Sequence, residues 1–202
     1  MSIEDAMRTI APGAGWGFEN VVGVDPSLTA TGLAIVTHRA VVATKVVGST
    51  PRPGWVGNAA RVREIVGPVA AFIPRFSLVV IEEMYVPKGP KAGGSVIERA
   101  WLWGFIVDQA VQRGCEVVVV NNSHRAMLAT GNGGAKKTDV KAAMKKRFPG
   151  VRVSDDNAAD ALALAAAGAW WAGFPIEGPT HAGQNEAMSK VPWPTKREES
   201  NS

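Results

Sequence analysis

The sequence predicts an α/β protein with a mixed five-stranded sheet, an antiparallel meander joined to parallel strands, flanked by helices on both faces. Three observations carry that expectation. Short apolar runs at Val21–Val24, Leu78–Ile81 and Val117–Val120 have the character of strands buried on both faces. Two further β-rich runs, Leu33–Thr37 and Ala40–Val47, follow the first with only tight connections between them, which makes the first three an antiparallel meander. Helical stretches separate the remaining runs, and such crossovers place the later strands parallel beside the first.

Taken in order, residues 1–19 carry Pro12 and three glycines without a clean period, and form a leader outside the core. Val21 to Asp25 is the first strand, and Pro26 to Gly32 a turn. Arg61 to Ile73 sets Val62, Ile65, Val66, Val69, Ala70 and Ile73 on a helical stripe, with Gly57 and Asn58 as candidate caps. Leu78 to Glu82 is a second buried strand ending in an acid. A glycine- and lysine-rich loop, Pro87 to Gly94, leads to a long helix from about Ser95 to Arg113 with Ile97, Trp101, Phe105 and Val111 near one face. Gly114 stops it, Glu116 to Val120 is the next strand, and His124 reads as a loop residue. A strongly basic helix from Lys136 to Phe148, ended by Pro149-Gly150, and an alanine- and leucine-rich helix from Asp156 to Trp171 complete a β-β-β-α-β-α-β-α-α order. Residues 20–172 thus make one domain, and residues 173–202, with four prolines and a polar terminus, read as a flexible tail.

Composition narrows the class. A chain of 202 residues, 46% apolar, suits one α/β domain with a full core. Lys plus Arg total 22 against 18 acids, a net charge of +4 whose distribution matters more than its sum. The single Cys115 excludes an intramolecular disulfide and a cysteine-rich zinc site, and its place before an apolar run makes it a small buried hydrophobe. No apolar run approaches the ~20 residues that span a bilayer, and MSIEDAMRTI lacks a secretory pattern. A cytoplasmic setting without a membrane partner is expected.

The informative feature is where the acids fall. Asp25 ends the first strand and Glu82 the fourth, and parallel neighbours bring their carboxyl ends to one edge of the sheet. Asp160 interrupts the apolar stretch Ala158 to Leu164, where a charge needs a partner or a metal. Asp156 and Asn157, four and three residues earlier, share its helical face. Each acid alone has an ordinary explanation, Asp25 as a turn residue and Glu82 as a solvated strand end; the combination does not. Oxygen donors without His or Cys select Mg²⁺, with Mn²⁺ able to substitute, and two such ions ~3.5–4 Å apart clamp a phosphodiester during hydrolysis.

At this point the residues resemble a known family. Gly23-Val24-Asp25-Pro26-Ser27-Leu28-Thr29-Ala30-Thr31-Gly32 resembles the opening motif of RuvC-type Holliday junction resolvases, G-[IV]-D-P-G/S-x-x-x-T-G. Val80-Ile81-Glu82-Glu83-Met84-Tyr85 resembles their second motif, and Ala158-Ala159-Asp160-Ala161-Leu162-Ala163 their closing A-A-D-A-L-A. The likeness covers roughly residues 20–172, in order. It implies an RNase H-like fold and a homodimer that binds branched DNA, a four-way junction, and nicks two strands symmetrically. It further implies Mg²⁺-dependent hydrolysis with two ions per active site, and no small-molecule substrate. Carried over by position, Asp25, Glu82 and Asp160 are catalytic metal ligands. The family's fourth ligand falls on Asn157, a departure: either Asn157 ligates through its carbonyl, or Asp156 serves from one position earlier, a choice its charge favours. Tyr85 matches an aromatic that stacks on bases, with an ordinary strand-end aromatic as the alternative.

A nucleic-acid partner also suits the basic helix, where six cations from Lys136 to Arg147 face one acid, Asp139. Gly131 to Gly134 precede it, so a loop delivers a helix N-terminus with Lys136 and Lys137 to a phosphate, with Lys141 one turn on and Arg125 joining them. Trp101 and Trp103, two residues apart on a helix, face different ways, so one of them is expected at a dimer interface. The rival expectations are an RNase H-like module that binds without cutting, a nuclease specific for forks, flaps or hybrids, and an ATP-binding actin-like protein. The last needs two domains, and this chain has room for one.

Overall fold

The computed structural model describes residues 16–86 and 96–195. Five strands, β1 (Asn20–Asp25), β2 (Thr31–Thr37), β3 (Val42–Val47), β4 (Leu78–Glu82) and β5 (Glu116–Val120), form one sheet in the order β3-β2-β1-β4-β5. The first three pair antiparallel as a meander, while β4 lies parallel to β1 and β5 parallel to β4. Six helices are described: α1 (Gly54–Phe72), α2 (Val96–Gln112), α3 (Asn122–Thr130), α4 (Lys137–Arg147), α5 (Asp156–Trp171) and α6 (Ala182–Lys190).

Strand alternation splits the core in two. Val22, Val24, Val79 and Ile81 point to one face, where Val62, Ile65 and Val69 of α1 and Leu102, Ile106 and Ala110 of α2 cover them. Val21, Leu78, Val80 and Val118 point to the other, beneath the alanines of α5 with α3, α4 and α6 around it. Helices on both faces account for strands that are apolar at nearly every position. Cys115 is buried as a small hydrophobe in the α1–α2 layer.

Two glycines set how closely α5 lies on the sheet. A Cβ at Gly23 would stand 1.9 Å from the Ala161 carbonyl oxygen, and one at Gly32 would stand 2.0 Å from that of Asn157. Side chains there would lift the helix off β1 and β2. Their absence lets the helix backbone rest directly on the strands, which places Asp160 beside the end of β1.

Several elements depart from the sequence expectation. Helix α1 begins at Gly54 behind Pro53, so Gly57 and Asn58 lie within it and cap nothing. The buried stripe of α2 is Leu102, Ile106 and Ala110, whereas Ile97, Phe105 and Val111 are about half exposed. Asn122 to Thr130, which contains the expected loop residue His124, is helical. The Asn121 side chain accepts from the His124 amide at 2.8 Å and starts α3. The segment expected as a flexible tail holds α6, whose Gln184 is buried and donates to the Leu128 carbonyl at 3.0 Å. Beyond it Trp193 stacks on Trp171 with ring centroids 5.3 Å apart, and from the other end Trp16 and Phe18 pack against the same Trp171. The leader before residue 16, the Pro87–Gly94 loop and residues 196–202 lie outside the described residues. Among the described residues no helix is long and apolar enough to cross a membrane.

Candidate active site

The parallel register of β1 and β4 pairs Val24 with Ile81, so the next residues, Asp25 and Glu82, emerge side by side at the strand ends. Thr31 fixes the turn after Asp25, its hydroxyl donating to the Ser27 carbonyl at 2.7 Å and accepting from the Ser27 amide at 3.1 Å. The Trp103 indole donates to the Glu82 carbonyl at 2.9 Å and holds the end of β4. From above, α5 brings Asp160. Asp25 and Glu82 are each 9% exposed and Asp160 only 2%, and one carboxylate oxygen from each lies within 4.8 Å of the others.

Asp25 and Asp160, so close and so dry, resist ionising together. Burial, and then the charges of Glu82 and Asp160, push the Asp25 carboxyl well above the usual range. Burial also raises Asp160 to about 6, while the Arg125 charge pulls the other way. Ionised together, the three acids would carry more negative charge than Arg125 offsets, so their ionised form calls for a further cation. All donors in the cluster are carboxylate oxygens, the donor set of a hard divalent cation.

Arg125 departs most from its expected place. It was expected on the DNA-facing surface, but its side chain is 4% exposed and turned inward, because α3 starts immediately after β5 and its first turn overhangs the strand ends. Its Nε lies 2.9 Å from Glu82 Oε2, an ion pair without the alignment of a hydrogen bond. Its Nη1 donates to Asp160 Oδ1, and its Nη2 donates to Asn122 Oδ1 at 3.1 Å.

The two candidates for the fourth position are separated. Asp156 binds Lys137 Nζ at 2.8 Å with 40% of its side chain exposed, and that cation holds its carboxyl below the usual range. It stands apart from the three-acid group, whereas Asn157 lines the cavity above it. The cavity encloses about 390 Å³, and Asp25, Glu82, Asp160, Arg125, Lys137 and Asn157 are among its walls. Of the other lysines, Lys136 is exposed at the start of α4 and Lys141 donates to the Ser154 carbonyl at 2.9 Å. Tyr85 is 70% exposed, on a neighbouring hollow that it shares with Asp25 and Glu82. Sequence reasoning missed Arg61, buried on α1, which donates to the Leu28 carbonyl at 3.3 Å and borders the same cavity. An arginine inside an apolar helical stripe, Arg61-Val62 here, was the available signal.

Comparison with known proteins agrees with this geometry. The family model described as crossover junction endodeoxyribonuclease RuvC matches residues 21–167. A crossover junction endodeoxyribonuclease RuvC from Erythrobacter litoralis is 30% identical over 156 residues, covering 74% of this chain and 91% of that one. Its counterpart from Leifsonia xyli is 32% identical over 162 residues, covering 76% of this chain and 75% of that one. Among solved structures, T. thermophilus RuvC in complex with a Holliday junction substrate superposes with a TM-score of 0.59 at 22% identity, over 86% of this chain and 98% of that one. That likeness is one of fold, the mixed five-stranded sheet with helices on both faces. With the family match spanning all three acids and most of the sheet and helices, the chain belongs to the RuvC family of crossover junction endodeoxyribonucleases.

Proposed function

We propose that this chain is a Mg²⁺-dependent endodeoxyribonuclease that resolves four-way or other branched DNA by phosphodiester hydrolysis, acting on DNA in the cytoplasm. The observation that carries this is the buried trio Asp25, Glu82 and Asp160, brought together where the ends of β1 and β4 meet α5, all within the stretch that the family model matches. Asp25, Glu82 and Asp160 would hold the metal, with Asn157 able to add a carbonyl oxygen. A bound divalent ion supplies a polarised water and stabilises charge on a phosphoryl oxygen. The chain's own residues do the rest. The apolar packing beneath the acids fixes their positions. Lys137 stands on the cavity wall, at the N-terminus of a helix, suited to hold a backbone phosphate. Tyr85, exposed beside the acids, is placed to stack on an unpaired base, and Lys136 and Lys141 extend the positive face along α4.

A homodimer that nicks two strands symmetrically suits a two-fold substrate. Support for such an assembly lies between α1 and α2, where Ala59, Val62, Val66, Trp101 and Phe105, with Arg63 among them, line a largely apolar groove. Trp55 and Ile97 add exposed apolar surface on the same two helices, and the Trp55 and Trp101 rings lie 5.9 Å apart. Trp101 therefore faces the groove, while Trp103 is engaged in holding Glu82.

The test is cleavage of a mobile four-way junction by purified protein with Mg²⁺ or Mn²⁺, beside a Y-fork and an RNA–DNA hybrid. Preferential, paired nicking of the junction, lost in Asp25→Asn, is the expected result. Equal cutting of all three substrates removes the junction specificity, and binding without cutting makes the chain a non-cleaving module.

A further inference from the structure

The geometry points to Arg125 as a built-in cation that occupies one charge position of the site, so that each site takes a single divalent ion. This rests on the metal-dependent function proposed above and departs from the two-ion arrangement that the family resemblance implies.

Charge comes first. Asp25, Glu82 and Asp160 carry three negative charges when ionised, and Arg125 returns one positive charge inside the same cluster. The remainder equals the charge of one divalent cation. Before a phosphate enters, a second ion would leave the buried cluster with a net positive charge, which a low-dielectric setting disfavours. The residue that could relieve that excess is absent from the cavity wall: Asn157 is neutral, and Asp156 is committed to Lys137 in solvent.

Ligand atoms lead to the same place. Arg125 engages Glu82 Oε2 and Asp160 Oδ1. Beyond those two oxygens the site offers the second oxygen of each of these carboxylates and the Asp25 carboxylate, a small set of hard donors that would suit one ion with its other positions left to water and phosphate. Arg125 is also held in place from behind. Its Nη2 is tied to Asn122, its helix is capped by Asn121, and its neighbours Ala126, Leu128 and Ala129 are buried in the core. A side chain so fixed at 4% exposure is a built part of the site, and burying a guanidinium is costly unless its charge is used.

The experiment counts Mn²⁺ bound per protomer by electron paramagnetic resonance on the full chain, with and without a bound four-way junction, together with melting temperature in EDTA. One Mn²⁺ per protomer is expected in wild type. Arg125→Gln should bind two, or bind the first at least about tenfold more tightly, and should melt lower in EDTA with recovery on adding Mn²⁺. Arg125→Lys, which keeps the charge, should still bind one; should Arg125→Gln fail to fold, this variant and the wild-type count decide. Two ions in junction-bound wild type, or an Arg125→Gln protein with unchanged count and affinity, overturns the inference. Two ions with junction cleavage leaves the nuclease function standing, whereas no Mn²⁺ binding and no cleavage by wild type overturns both.

Discussion

At 2% exposure Asp160 has lost most of its hydration, and with Glu82 beside it the carboxyl titrates at about 6 in place of its ordinary 3.8. The folded chain thus keeps this proton at pH values where the unfolded chain has released it. In metal-free protein the stability from Asp160 is full below about pH 4 and is lost as pH rises through about 6. Asp160→Asn removes that loss, so in EDTA the variant should gain on wild type in melting temperature between pH 4.5 and 7.5; a constant difference would show that Asp160 titrates normally. Divalent ions would act oppositely, by binding the ionised form, and their affinity should climb across the same range. The fourth position offers a paired test. Asn157→Asp adds charge on the cavity wall and should tighten Mn²⁺ binding several-fold, while Asp156→Ala removes only an exposed ion pair and should change it little, pairs of that kind contributing about 0–1 kcal/mol. Calorimetric titration of both variants checks this. Loss of any one of Asp25, Glu82 or Asp160 as the amide or glutamine should cost several kcal/mol at the barrier, about a thousandfold or more in cleavage rate, read in single-turnover assays.

On the scale of elements, the site depends on how close α5 sits to β1 and β2. Gly23→Ala introduces a methyl group where the Ala161 carbonyl stands 1.9 Å away, a clash with backbone that no rotamer relieves. Overpacking of this kind costs about 1–3 kcal/mol or more, so the melting temperature should fall by several degrees in a domain of this size. Cleavage should fall further than stability predicts, since Asp160 moves with the helix. A Gly23→Ala protein that melts lower but cuts at the wild-type rate would show that the helix can shift without carrying the acid away. Helix α3 is a second such element: its first turn turns Arg125 inward, and its last turn receives Gln184 of α6.

For the whole molecule, the apolar groove of α1 and α2 opens on the face of the sheet opposite α5, so assembly there leaves the basic helix α4 free for DNA. Trp101→Glu should convert the proposed dimer to a monomer in light-scattering measurements. It should also turn paired nicks into single, uncoordinated ones, with the overall fold retained by circular dichroism. A Trp101→Glu protein that stays dimeric would place the interface elsewhere.

The alternation of apolar runs and helical stripes was sufficient to predict the five strands, their meander and crossovers, and α1, α2, α4 and α5, because strand and helix periods are local properties of the chain. The same holds for Asp25, Glu82 and Asp160, since an acid that ends a buried strand or breaks an alanine helix is conspicuous in one dimension. Helices α3 and α6 were not legible. They are short and mixed in polarity: the cap that starts α3 at Asn121 is a local signal, but α6 is anchored by the burial of Gln184 against the Leu128 carbonyl, a contact between distant segments that exists only after folding. The inward turn of Arg125, the choice of Asn157 over Asp156 as the residue on the cavity wall, and the burial of Arg61 belong with them. Side-chain identity states a charge, but whether that charge meets water, a lysine or two carboxylates depends on distances between segments far apart in the chain. Sequence therefore determined the sheet, its helical layers and the three acids, and tertiary structure decided which charges those acids keep.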